Sequence, residues 1–130
     1  MPVAYTIDRL IAGADMAEAE MRTRAALAAR GFGVLTEIDV AATMKARLGA
    51  EIAPYRILGA CNPRMALGVI AMEPKVGAML PCNVILRAVE GGVEVSAIDP
   101  VASMAAIDNA ALHGVASEVR EMLTEAVAAI

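Results

Sequence analysis

At 130 residues the chain has the length of one domain, enough to bury a core without disulfides or a structural metal. A net charge of -4 with no basic cluster excludes a surface that neutralises many phosphates, so no nucleic-acid partner is expected. The longest stretch free of charge, Val76 to Leu86, contains Pro81 and falls far short of the roughly 20 residues of a membrane span.

Hydrophobic residues make up 58% of the chain, but the aromatics are only Tyr5, Phe32 and Tyr55, so small side chains must fill the core. Surplus apolar surface on a small domain ends more often in a subunit interface than in water, which points to a homodimer. The N-terminus meets Asp8, Arg9 and Asp15 early and has no basic leader before an apolar run, so the expected location is the cytosol. Cys61 and Cys82 are then expected to be reduced thiols rather than a disulfide.

The first element is read as a strand over Val3 to Ile7. Asp15 followed by Glu18 has the pattern of a reciprocal helix cap, and an alanine-rich helix runs from there to Arg30. Gly31 suits a left-handed terminus before a strand over Phe32 to Ile38. Val40 to Leu48, stopped by Gly49, makes a short helix, and Tyr55 to Ala60 makes a strand after Pro54. Asn62 caps a further helix with Pro63 at its first position. Pro74 and Pro81 bracket another short helical piece. Val84 to Val89 and Val93 to Ile98 form a hairpin across Glu90-Gly91-Gly92. Val115, Val119, Met122, Leu123, Ala126, Val127 and Ile130 fall on one stripe of a closing helix. No repeat, low-complexity tract or linker interrupts residues 1–130, which form a single domain. The fold class is α+β, with two long helices on one face of a mainly antiparallel five-stranded sheet and short helical insertions.

Four blocks carry a family likeness: Gly31 to Val40, Pro54 to Pro63, Leu80 to Val84, and Ala97 to Pro100. In this order and over nearly the whole chain they resemble the "domain of unknown function 302" family. The resemblance implies a β-α-β-β-β-β-α two-layer sandwich, akin to one half of the TATA-box-binding-protein fold, usually paired as a homodimer. It brings no established activity, and a shared fold does not imply DNA binding.

The chemistry-bearing residues of these blocks stand at strand ends: Glu37 after one strand, Arg56 at the start of the next, Cys61-Asn62 at its close, Cys82-Asn83 opening a third, Asp99 closing a fourth. If the strands holding Cys61 and Cys82 are antiparallel neighbours, both thiols reach one rim of the sheet, and Asp99 arrives beside them. Three readings stay open there. Both cysteines are small buried core residues in a non-catalytic dimeric interaction module. Alternatively, the rim holds a small ligand anchored by Glu37, Arg56, Cys61, Asn62, Cys82, Asn83 and Asp99. Or the two thiols bind a soft metal or cycle through a disulfide, with Arg56 and Arg64 as the available cations. The cysteines form no CxxC pair and His113, the only histidine, stands at the start of the last helix, so no residue is assigned as a metal ligand, and neither catalysis nor a cofactor is assigned.

Other features take plain readings. Met44, Met65 and Met122 fill gaps between small core residues. Gly31-Phe32-Gly33 follows a helix and enters a strand, the reverse of a dinucleotide-binding turn. Ser96, Ser103 and Ser117 lie in no nucleophile elbow. Glu118, Glu121 and Glu125 are the solvated face of the last helix.

Overall fold

A computed structural model describes residues 4–130. In chain order the elements are β1 (Thr6–Ala12), α1 (Met16–Ala28), β2 (Gly33–Asp39), α2 (Val40–Leu48), β3 (Tyr55–Cys61) and α3 (Pro63–Met72). A 3-10 turn follows over Pro74–Met79, then β4 (Cys82–Val89), β5 (Gly92–Ile98), α4 (Pro100–Ser103) and α5 (Ala110–Ala128). The strands form one sheet in the order β1-β5-β4-β3-β2, with every neighbouring pair antiparallel.

Local chemistry sets the element ends. Asp15, Asp39, Asn62, Asp99 and Asn109 each accept a backbone N–H of the helix they precede. The reciprocal half of the first cap is replaced by an ion pair, since the Glu18 carboxylate lies 3.9 Å from Arg22. Gly31 takes φ 84°, and the Phe32 amide donates to Leu27 O at 3.0 Å, so α1 closes at Ala28 rather than running to Arg30. In the β4–β5 hairpin Gly91 and Gly92 both have positive φ, 89° and 155°.

The first strand departs from the sequence reading. It spans Thr6–Ala12, and Val3 lies outside the described residues. Its register is fixed by β5, from Thr6 opposite Ile98 to Ala12 opposite Gly92. Asp8 and Arg9 masked it in the sequence. Arg9 points to the helical side, where its guanidinium donates to Val127 O and Ala128 O at 3.2 and 2.8 Å, satisfying carbonyls at the end of α5. The short α4 was not anticipated; Asp99 and Pro100 start it.

The pleat separates two faces. Leu58, Ala60, Cys82, Val84, Leu86, Val93, Val95 and Ala97 face α1 and α5, and with Ala19, Leu27, Val119, Leu123 and Val127 they form the main core. A second cluster of Val69, Val76, Met104, Leu112 and Ala116 joins α3, α4 and α5 beyond the end of the sheet. The other face carries Thr6, Asp8, Tyr55, Asn83, Ile85, Arg87, Glu94, Ser96 and Ile98 around a solvent-open hollow. Among the described residues no helix is long and apolar enough to cross a membrane.

Candidate binding site

The two cysteines come together for a topological reason. β3 ends at Cys61 and β4 begins at Cys82 in antiparallel pairing, with Ala60 opposite Cys82 and Gly33 opposite Cys61. Both thiols therefore sit at the same end of the sheet, as the sequence reading expected of neighbouring strands. The chain leaves β3 directly into α3, capped by the Asn62 side chain accepting from Met65 N at 3.3 Å. It enters β4 through Leu80 and a cis Pro81.

Between this sheet end, α3 and α5 lies a cavity of about 40 Å³. Its walls are Phe32, Ala60, Met65, Ala66, Val69, Leu80, Pro81, Pro100, Met104, Val115, Ala116 and Val119, together with Cys61, Asn62 and Cys82. The lining is apolar apart from Asn62 and the two thiols. Cys82 is buried and Cys61 half-buried. Desolvation first, and the neighbouring Cys61 second, push the Cys82 thiol up to about 11. Cys82 is thus a neutral thiol at physiological pH, while Cys61 stands where solvent meets the cavity.

Only part of the anticipated rim assembles here. Cys61, Asn62 and Cys82 line the cavity. Asp99 is at the same end of the sheet, but both its oxygens are engaged: Oδ1 accepts from Val101 N at 2.9 Å and Oδ2 pairs with Arg120 Nε at 3.0 Å. Asn83 follows Cys82 by one residue and so projects to the opposite face, into the open hollow. Glu37 and Arg56 stand at the far end of β2 and β3, since Glu37 is opposite Leu58 and Asp39 opposite Arg56. There Arg56 lies 3.0, 3.8 and 3.5 Å from Glu20, Glu37 and Asp39, and Arg24 joins Glu20 and Glu37. This network ties α1 to β2 and β3 and leaves Arg56 no role beside the thiols; Arg64 is exposed on the first turn of α3. Among the described residues no group of three or more His, Cys, Asp or Glu side chains could hold a metal ion.

Apart from Cys61, Asn62 and Cys82, the sequence reading missed every wall of the cavity, Phe32, Met65, Pro81 and Met104 among them. Met104 follows α4 directly as its C-terminal cap residue and lines the cavity from there.

The fold is a small α+β sandwich with one face of its sheet open. Residues 9–130 match the family described as "Domain of unknown function DUF302", and the chain belongs to that family. A solved relative in fold is the crystal structure of an uncharacterized conserved DUF302 protein from Bacillus stearothermophilus. It superposes with a TM-score of 0.89 at 24% identity, over 97% of this chain and 98% of that one. No curated protein matches the chain.

Proposed function

We propose that this protein is a cytosolic binding protein that takes a very small ligand into the two-thiol cavity at the end of its sheet. The observation that carries this reading is the cavity itself: two thiols on one apolar hollow, with Cys61 at its mouth and Cys82 behind it. Its size restricts the occupant, since about 40 Å³ is well below the ~150 Å³ of a cavity that admits benzene. Drug-sized organic ligands are outside that range.

The reading is tested with two thiol reagents on the folded, reduced chain: small, uncharged methyl methanethiolsulfonate and bulky, charged Ellman's reagent. A cavity that admits only small species makes the first react at Cys61 at least about tenfold faster, relative to the same pair of rates on unfolded chain. Equal relative rates, or no reaction with either until unfolding, count against it.

A second reading, a homodimer working through its surface, is supported by large apolar side chains left exposed on the open side of the sheet. Tyr5, Leu10 and Ile38 are 65%, 50% and 48% exposed. Light scattering across a concentration series tests it: a dimer mass that Leu10→Lys with Ile38→Lys reduces to monomer supports it, and a monomer throughout removes it.

A further inference from the structure

Four sulfur-bearing residues line the cavity: Cys61, Cys82, Met65 and Met104. We propose that the cavity binds one monovalent soft metal ion, Cu(I), through the thiolates of Cys61 and Cys82, with Met65 and Met104 as neutral further donors. The inference rests on the binding reading above and names its ligand.

Donor chemistry selects the ion. Thiolate sulfur suits both Cu(I) and Zn, but a structural Zn takes four thiolate, imidazole or carboxylate ligands, whereas two thiolates with neutral thioethers suit Cu(I). Here Asp99, at the same end of the sheet, is engaged by α4 and Arg120, and His113 is exposed on α5 away from the cavity lining. Volume agrees, because about 40 Å³ accommodates a single ion and its ligands' van der Waals gaps but no ring compound. Access agrees as well: an ion passes half-buried Cys61 and meets buried Cys82 inside.

The step balances without any change of oxidation state. Two S–H bonds are replaced by two S–Cu bonds, two protons leave to solvent, and the bis-thiolate complex carries one negative charge. That charge forms at the N-terminus of α3, ten residues long and beginning two residues after Cys61, where the helix dipole favours an anion. The donors come from β3, α3, β4 and the end of α4, so no contiguous metal motif marks the site in the sequence.

The test is an anaerobic titration of the reduced full chain with Cu(I) buffered by bicinchoninate. The expected result is one Cu(I) withdrawn from the chelator per chain, with a sulfur-to-copper band in the near ultraviolet. Cys82→Ser should weaken uptake more than about 100-fold and Met104→Leu, which keeps the apolar volume, about tenfold. Circular dichroism shows whether each variant folds; Met65→Leu serves as a second packing-neutral variant. No withdrawal of Cu(I), or uptake equal in the wild type and the Cys61→Ser/Cys82→Ser pair, overturns the proposal. Failure here with the small-reagent selectivity intact removes the metal and leaves the cavity reading standing; failure of both removes both.

Discussion

Cys82 lies opposite Ala60 in the β3–β4 ladder, one residue short of direct pairing with Cys61, and both cysteines line one cavity. The offset makes their environments unequal. Cys82 points into the core beneath the helices, while Cys61 occupies the last position of its strand, where β3 passes into α3.

This inequality sets a pH dependence. The Cys82 thiol is raised from 9.0 to about 11, chiefly by burial, so the folded chain keeps a proton that the unfolded chain loses. The stabilisation is complete below about pH 9 and is lost as pH rises through 11, with about 2–3 kcal/mol at stake. Urea unfolding of wild type and Cys82→Ala between pH 8 and 11 checks this: the wild-type curve should fall more steeply. Parallel curves would show that Cys82 ionises no differently in the two states.

The ion network around Arg56 should contribute measurably, because Glu20 is only 19% exposed and cannot regain full hydration when its partner is removed. Arg56→Leu is expected to destabilise by about 1–2 kcal/mol, leaving Glu20, Glu37 and Asp39 close together. Denaturant midpoints with and without 1 M salt read the effect, since salt screens that repulsion and should shrink the loss. A loss under about 0.3 kcal/mol would mean that the network is ordinary surface charge.

Gly59 is a close-approach glycine. A Cβ there would meet Pro81 Cγ at 2.7 Å and clash with Thr36 Oγ1, and the proline ring cannot swing away. Gly59→Ala should destabilise by about 1–3 kcal/mol through overpacking, with part recovered in combination with Thr36→Ala or Pro81→Ala. Thermal melts of the single and double variants decide it; a neutral Gly59→Ala would show that β3 and the Pro81 segment have room.

Asp99 joins α4 to α5 through its cap and its contact with Arg120. Asp99→Ala should cost about 1–2 kcal/mol, most of it from the cap, while Arg120→Ala should cost under about 1 because that side chain is 56% exposed. A double-mutant cycle isolates the pair, and a coupling indistinguishable from zero would leave Asp99 as a cap alone.

Much of the fold was legible because its signals are local. Asn62-Pro63, the Glu90-Gly91-Gly92 turn and the apolar stripe of α5 each fix an element by short-range geometry. The placing of both cysteines at one rim rested on the condition that their strands are antiparallel neighbours, which the β3–β4 ladder meets; the pairing of β1 with β5 had no local signal. The rest of the site was not legible, for two physical reasons. Pleat alternation sends Asn83 to the opposite face from Cys82, and a seven-residue strand carries Arg56 and Glu37 to the other end of the sheet. Met104 reaches the cavity only through a four-residue helix with no periodicity to announce it.

The most direct measurement of the central claim is a native mass spectrum of the chain purified under reducing conditions, beside the Cys61→Ser/Cys82→Ser variant. Each wild-type chain is expected to carry added mass that the variant lacks. Wild-type chains carrying only their own mass, the same as the folded variant once the substitutions are subtracted, would contradict it and leave the two cysteines as packing residues.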